Sequence, residues 1–230
     1  MESDPQPWPR RLGRDQRSAA KRREKDFQAA LKAAGRRRGW RYAGGWLFRQ
    51  DGEWFASILP SLLWERGAAI AFALKPMALD PLFWDIVGLP DNGKLPLSFR
   101  ANGAWVLHPP PRESRVGSDV AEVSALAELA ARSADGQLEE SRETRSTGRM
   151  LDELTDGGPP RGRRRALAIC LNLLDDDLDG ALALCRESGR SNDRDSGGFT
   201  TSNPDGSVST FVDQAEAWIV AKRRSALRLV

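Results

Sequence analysis

A chain of 230 residues with 40% apolar residues and eight Trp is long and apolar enough to fold around a core, which excludes a wholly disordered protein. Its longest apolar run, near residues 68–74, is far shorter than the roughly 20 residues of a membrane span, and two Cys exclude a disulfide framework. The net charge of +3 conceals a basic first 50 residues, with 14 basic and five acidic side chains, and an acidic remainder. Because no apolar signal segment stands near the N-terminus, we expect a cytoplasmic protein that does not bind membranes.

The order of predicted elements indicates an α+β fold, in which an N-terminal helix packs on an antiparallel sheet and a mainly helical C-terminal region follows. We predict three parts: a disordered basic arm over residues 1–17, an α+β domain with two β-hairpins over 18–112, and a mainly helical region over 113–230 with a polar linker over 133–162.

The first predicted helix begins at Ser18, whose side chain can cap it, runs to Ala34 and stops at Gly35. Phe27 and Leu31 lie on its apolar stripe. The candidates for binding nucleic acid are the basic side chains of this segment, with two aromatic neighbours: Arg22, Lys25, Arg36, Arg37, Arg38 and Arg41, with Trp40 and Tyr42. The alternative is that these cations are solvated or contact the acidic remainder of the chain.

Two segments repeat the pattern Phe-Arg-x-(Asp/Asn)-Gly-x-Trp, at residues 48–54 and 99–105. The Asp-Gly and Asn-Gly steps are typical of two-residue type I′ turns, so each segment predicts a β-hairpin. The predicted registers form two cross-strand pairs: Arg49 opposite Trp54, and Arg100 opposite Trp105. Such pairs favour a structural cation–π role, and their alternative role is an interaction face for a phosphate or a stacked base.

Residues 67–74 (GAAIAFAL) are predicted to form a third strand with two unlike faces: Ile70, Phe72 and Leu74 on one, and Ala69, Ala71 and Ala73 on the other. We expect a helix on the alanine face, since small side chains allow a close approach. Asp80 is then predicted to cap a short helix that Gly88 ends.

The C-terminal half predicts helices separated by turns: residues 118–132, capped by Ser118; a stretch at 150–154; a helical hairpin of 163–174 and 178–188; and a last helix that begins at Thr210. Thr210 and Asp213 form a capping-box pattern at the start of this last helix. Residues 188–198 are predicted as a loop and residues 203–206 as a turn.

Over residues 24–75 the chain resembles a bacterial domain-of-unknown-function family, in which a helix ending in Leu-Lys-x-x-Gly is followed by basic residues and an aromatic hairpin containing an Arg. The matching positions are Leu31, Lys32, Gly35, Arg37, Arg38, Phe48 and Arg49. Arg36 departs from the family, which usually has an aromatic residue there. The resemblance implies an α+β fold and, because that family is associated with toxin, immunity and defence loci, a binding role without catalytic residues.

Two segments match known ligand-binding loops in part. Residues 88–95 (GLPDNGKL) have the Gly and Lys spacing of a P-loop, but Leu95 replaces the Ser or Thr that binds magnesium. Residues 175–182 fit the start of an EF-hand loop, but Arg186 replaces the bidentate Glu. This second segment therefore predicts an acidic turn between helices, capped by Asp177.

The remaining reactive side chains predict no catalytic site. His108 is expected at the surface or at a strand end, and Cys170 and Cys185 are expected to be buried, inert thiols. We predict no metal and no cofactor.

These features favour a non-enzymatic protein-interaction module of immunity or defence type, whose partner is another protein and whose interaction face comprises Arg49, Trp54, Arg100 and Trp105. The first alternative is a protein that binds nucleic acid through its basic N-terminal residues. The second alternative is an enzyme that uses carboxylates. The oligomeric state does not follow from any of these features.

Overall fold

A computed structural model describes residues 13–63, 67–188, 198–202 and 205–227. Its helices are α1 (Arg14–Arg37), α2 (Leu79–Ile86), α3 (Phe99–Asn102), α4 (Val123–Arg142), α5 (Thr147–Thr155), α6 (Arg163–Leu174), α7 (Leu178–Ser188) and α8 (Phe211–Leu227), with a 3-10 helix at Pro90–Lys94. Its strands are β1 (Arg41–Ala43), β2 (Trp46–Asp51), β3 (Trp54–Leu62), β4 (Ala68–Pro76), β5 (Arg112–Val116), β6 (Thr200–Ser202) and β7 (Val208–Thr210). The predicted α+β class is confirmed. The loop predicted at 188–198 and the turn predicted at 203–206 lie largely outside the described residues.

Strands β1 to β5 form one antiparallel sheet whose spatial order follows the chain order. The short strands β6 and β7 pair with each other in a separate hairpin. Strand β5 was not predicted, because its sequence RESRV is polar and largely exposed at the sheet edge. The central strands β2, β3 and β4 carry apolar residues on both faces, so both faces of the sheet must be covered.

Helices α1 and α4 cover one face of the sheet. Ile58, Ile70 and Phe72 of the sheet pack there against both helices in a single apolar cluster. These two helices do not lie on the alanine face of β4, where a helix was predicted, and that side of the sheet meets the short helix α3 instead, beside β2 and β3. The small side chains that permit the close approach belong to α4 instead, where Ala127 and Ala130 are fully buried.

The opposite face of the sheet carries Phe48 and Phe55, which stack on each other and pack against Ala101 of α3. A second core lies beyond the sheet and joins α2 to the C-terminal helices, with Phe83, Leu167 and Phe211 among its buried residues. Because α2 belongs to this second core, the two apolar cores do not divide at residue 112, where the sequence predicted a boundary.

Helix α1 is longer than predicted at both ends. It begins at Arg14, so residues 14–17 of the predicted arm are helical, and Ser18 is not its cap. Gly35 does not stop it. Instead the helix ends in a Schellman motif, in which Trp40 N–H donates to Gly35 O and Gly39 adopts a φ of +79°. Gly35 instead allows α1 to pack closely on β2, because a Cβ added at this position would lie 2.5 Å from the side chain of Leu47.

The first predicted hairpin exists, but its register differs from the prediction. Asp51 pairs with Trp54, and Arg49 pairs with Ala56 rather than with Trp54. The loop is Gly52-Glu53, and its positive φ of 60° at Gly52 fits a type II′ turn. Each residue of β2 faces a partner two positions further along β3 than predicted. Since a shift of two keeps every side chain on the same face, the apolar pattern does not distinguish the two registers.

The second predicted hairpin is wrong. Residues 99–102 form α3, and Gly103 has a φ of −70° instead of the positive value that a type I′ turn needs. Arg100 and Trp105 therefore do not lie opposite each other on paired strands. In this helix the Arg100 side chain reaches back to the Met77 carbonyl and toward Asp80.

The C-terminal predictions are correct for the later helices and wrong for the linker. α4 begins at Val123 with Glu122 as its cap, not at Ser118, and with α5 it occupies much of the predicted polar linker over 133–162. The helical hairpin is formed by α6 and α7 as predicted. At α8, Thr210 and Asp213 exchange the two hydrogen bonds of a capping box.

The contact between Gly35 and Leu47 predicts a loss of stability when Gly35 is replaced by Ala. Helix propensity alone would favour Ala by about 1 kcal/mol. The new methyl group meets the side chain of Leu47, which is fully buried and must shift to make room. We expect a net loss of about 1–2 kcal/mol in the free energy of unfolding, measured by urea denaturation.

Gly136→Ala is the matched control, because Gly136 lies within α4 and an added Cβ there has no neighbour within 4 Å. We expect this variant to gain about 0.5–1 kcal/mol. If Gly35→Ala gains stability as Gly136→Ala does, α1 does not pack on β2 as closely as described.

Candidate functional site

The predicted nucleic-acid-binding residues divide into an exposed group without ion pairs and two arginines that pair with α4. Arg22, Lys25, Arg36 and Arg41 are exposed, and none of them forms an ion pair with a described residue. Arg37 and Arg38, at the end of α1, instead reach the acidic side of α4.

The outer face of α1 carries a straight row of seven exposed positions that includes two of the exposed group. Successive members are spaced by three or four residues, so they lie in line along the helix: Arg14, Ser18, Lys21, Lys25, Ala29, Lys32 and Arg36. We call this set the basic row. It contains five cations and no carboxylate, and it lies opposite the buried Phe27 and Leu31. Among described residues, none of the five cations has a side-chain hydrogen bond or an ion pair.

Arg37 and Arg38 join α1 to α4. Arg37 pairs with Glu128, and Arg38 Nη1 lies 3.1 Å from Asp135 Oδ2. Asp135 also accepts a 2.8 Å hydrogen bond from Trp40 Nε1. Trp40 is only 2% exposed, so it is not available to stack on a base, contrary to the aromatic support predicted for the nucleic-acid site.

The first half of the predicted interaction face, Arg49 and Trp54, lies on the helix-covered side of the sheet. Arg49 sits over Trp40 with its Cζ 5.7 Å from the ring centroid, and Arg145 sits over Trp54 at the same distance. Between them, Asp51 binds Arg142 and Arg145 at 2.9 Å and 2.6 Å. The hydrogen bond from Arg142, with further contributions from Arg145, lowers the pKa of Asp51 to about 2 against the opposing effect of burial.

The other half of the predicted interaction face, Arg100 and Trp105, lies elsewhere and is also engaged internally. Arg100 Cζ lies 5.4 Å from the Trp84 ring centroid, and Arg100 Nη1 donates to Met77 O at 2.7 Å. Trp105 stacks on Phe199 of the second core. The four residues therefore do not form one exposed face.

A buried ion pair that sequence reasoning missed lies between β4 and α2. Lys75 and Asp80 are 3% and 0% exposed, and Lys75 Nζ lies 3.0 Å from Asp80 Oδ1. The ammonium group also donates to the carbonyls of Arg100 and Leu107, at 2.9 Å and 2.8 Å. Burial lowers the pKa of Lys75, and the Asp80 carboxylate opposes that shift. A lysine inside an apolar strand was the sequence signal for this site.

Asp80 consequently has a different role from the one predicted. It is not the cap of α2, whose first turn follows Ala78. Its Oδ1 accepts from Leu107 N–H at 3.3 Å, and its Oδ2 lies 3.5 Å from Arg100 Nη1. The prediction that Gly88 ends α2 is correct, since Gly88 follows the last turn with a φ of +72°.

His108 is half-buried and stacks on Trp46, with ring centroids 5.9 Å apart. Burial first, and then the positive charges of Lys75 and Arg163, lower its pKa to about 4. Cys170 and Cys185 are buried as predicted, and burial raises the pKa of both thiols.

The two segments that resemble ligand-binding loops take up other structures. Residues 90–94 form a 3-10 helix after α2, not the loop between a strand and a helix that a P-loop requires. The acidic segment forms the turn between α6 and α7, where Gly180 N–H donates to Asp177 Oδ1 at 2.8 Å, as predicted.

In the described ranges, no helix has the length and apolar character of a membrane span.

Comparison of the chain with protein-family models, with curated proteins and with solved structures gives no match. The resemblance to a bacterial family of unknown function therefore stays a prediction, as does the role in immunity or defence.

The buried ion pair predicts a large effect when one partner is removed. Lys75→Met leaves the Asp80 carboxylate buried beside Arg100 alone, and we expect a loss of about 3–5 kcal/mol in the free energy of unfolding. The double variant Lys75→Met, Asp80→Leu removes both charges, and we expect it to be more stable than the single variant. Urea denaturation of both proteins measures the difference. A loss below about 1 kcal/mol in the single variant would contradict the buried pairing.

His108 predicts a pH dependence of stability. Its folded pKa of about 4 lies below the unfolded value of 6.5, so the unfolded state binds a proton at a higher pH. The resulting stability is fully present above pH 6.5 and is lost as the pH falls toward 4, by up to ~3 kcal/mol. Subtracting the unfolding free energies of His108→Gln from those of the native protein, pH by pH, isolates this contribution. A difference that does not change between pH 7 and pH 4.5 would refute it.

Proposed function

We propose that the protein binds nucleic acid through the basic row of α1. The observation that carries this proposal is the row itself: five exposed cations in line, without a carboxylate among them and without an ion-pair partner among the described residues. Arg22 of α1 and Arg41 of β1 are exposed as well. A cation without an internal partner is available to neutralise a phosphate.

The shape of the basic row favours a long, uniform polyanion. From Arg14 to Arg36 the row extends over 22 helical steps, or about 33 Å at 1.5 Å per residue. A nucleic-acid strand presents a phosphate about every 3.4 Å along a duplex axis, so a straight row of cations faces several phosphates at once. A helix with one apolar face held in the core and one cationic face outside provides such a rigid row.

The ion pairs that Arg37 and Arg38 form with α4 support the distinction between cations that hold α1 in place and cations that face away from the protein. These two cations are satisfied by Glu128 and Asp135, so they hold the helix on the protein. The five cations of the basic row have no such partner among the described residues, so they remain available for a ligand.

The protein-interaction role stays a second candidate only in the form of an acidic partner that would occupy the same face. The four residues predicted for an interaction face are engaged in internal contacts, so they do not support it. A carboxylate-dependent enzyme has no support from the buried carboxylate Asp80, which is closed off from solvent and paired with Lys75.

The test removes three cations of the basic row in the variant Lys21→Gln, Lys25→Gln, Lys32→Gln. We expect the native protein to bind duplex DNA or RNA with micromolar affinity at about 0.15 M salt, and its log–log salt dependence to lose about 0.9 per lost phosphate contact in the variant. Fluorescence anisotropy of labelled 20-mers, in duplex and single-stranded form, measures both quantities.

The control is the variant Lys94→Gln, Arg115→Gln, Arg224→Gln, which removes the same charge at three exposed positions outside α1. Its affinity should stay close to that of the native protein. Equal weakening by the two variants would show that net charge, and not the row, is responsible. Binding to polyglutamate without binding to any nucleic acid would overturn the proposal in favour of an acidic protein partner.

A further inference from the structure

A cleft of about 270 Å³ lies between the sheet and the helices that follow α4. Its inner wall is apolar and includes side chains from β3, β4, α5 and α6: Trp54, Phe72, Leu74, Met150, Leu154 and Leu167. Residues 109–111, three consecutive prolines, form one edge. The volume is close to the lower end of the range of small-molecule sites, so the cleft suits a small ligand.

Among the described residues, four arginines and one carboxylate also line this cleft. Arg149 Nε and Arg112 Nη2 lie 3.2 Å and 3.6 Å from the same oxygen of Glu153. Arg164 donates to the main-chain carbonyls of Glu153 and Leu154, at 3.2 Å and 2.9 Å, which leaves its charge unneutralised by these contacts. Glu153 thus balances only one of three neighbouring positive charges.

Arg145 completes the cationic lining, but it is occupied in a different way. It pairs with Asp51 at 2.6 Å and covers one side of the Trp54 ring. Arg145 therefore fixes the aromatic part of the wall, while Arg112, Arg149 and Arg164 supply the excess charge. These three are exposed at the mouth of the cleft.

We propose that this cleft binds a small organic anion that has an aromatic or other flat apolar body, such as an aromatic carboxylate, sulfonate or phosphate. The apolar wall would bury the body of the ligand, and the unbalanced guanidinium groups at the mouth would pair with its anionic group.

The test compares two fluorescent probes that differ in charge. 8-Anilinonaphthalene-1-sulfonate carries an aromatic body and a sulfonate, and N-phenyl-1-naphthylamine has the same body without the charge. We expect saturable 1:1 binding of the sulfonate, at least about ten-fold tighter than binding of the neutral probe. The double variant Arg112→Gln, Arg164→Gln should weaken sulfonate binding about ten-fold and leave the neutral probe unaffected.

Glu153→Gln provides a test in the opposite direction. Removing this carboxylate should tighten sulfonate binding several-fold and leave binding of the neutral probe unchanged. Partial unfolding would instead raise the binding of both probes, since it exposes apolar surface. Arg132→Gln is the matched control, since Arg132 is exposed on α4 and does not line the cleft, and it should leave both affinities unchanged. Equal affinities for the two probes in the native protein, or equal weakening by Arg132→Gln and the cleft variant, would overturn the proposal. Weaker sulfonate binding by Glu153→Gln would overturn it as well.

Discussion

The Lys75–Asp80 ion pair is the contact on which the arrangement of the two cores depends. Lys75 lies at the end of β4, Asp80 in the first turn of α2, and the carbonyls that complete the site belong to Arg100 and Leu107. One ammonium group thus joins the sheet, the helix that enters the second core, and the segment that contains α3 and leads to β5. Because an unpaired charge in this position would be costly, all of these segments must be in place together. The main effect of the ion pair is to favour this relative placement of the segments. Its net contribution to the free energy of unfolding is smaller.

A second set of charged contacts fixes the helices over the sheet. The end of α1 pairs with α4 through Glu128 and Asp135, while the end of β2 pairs with the end of α4 through Asp51. Each contact is between residues about 90 positions apart in the chain. The acidic remainder of the chain therefore neutralises part of the basic N-terminal segment, and the outer face of α1 is left as its cationic surface.

Sequence patterns predicted the elements of the sheet better than their relative positions. The apolar strand around Phe72, the hairpin near Gly52 and the capping box at Thr210 follow from local sequence, and all three exist. The register of β2 on β3 does not follow, since both registers place the same residues in the core. The second hairpin failed for a longer-range reason: Arg100 is held by the Met77 carbonyl and by Asp80, and no local signal reports such contacts.

For the candidate sites too, sequence patterns identify individual residues but not their contacts with distant parts of the chain. Lys25 and Arg36 could be named because exposed cations on an amphipathic helix are recognisable from helical spacing. Arg37 and Arg38 could not be separated from them, since their acidic partners on α4 are distant in sequence. The arginine-lined cleft was invisible for a similar reason, because its walls come from β3, β4, α5 and α6 and meet only in the folded chain.

The two cysteines make the opening of the second core detectable by chemical modification. Cys170 is completely buried on α6, Cys185 is nearly so on α7, and the thiols are held in their protonated, unreactive form. An alkylating or oxidising reagent therefore meets them only when the helices separate. The rate at which the two thiols react therefore depends on how often the helices of the second core separate, and not on the motion of the sheet. Measuring that rate measures the opening of this core.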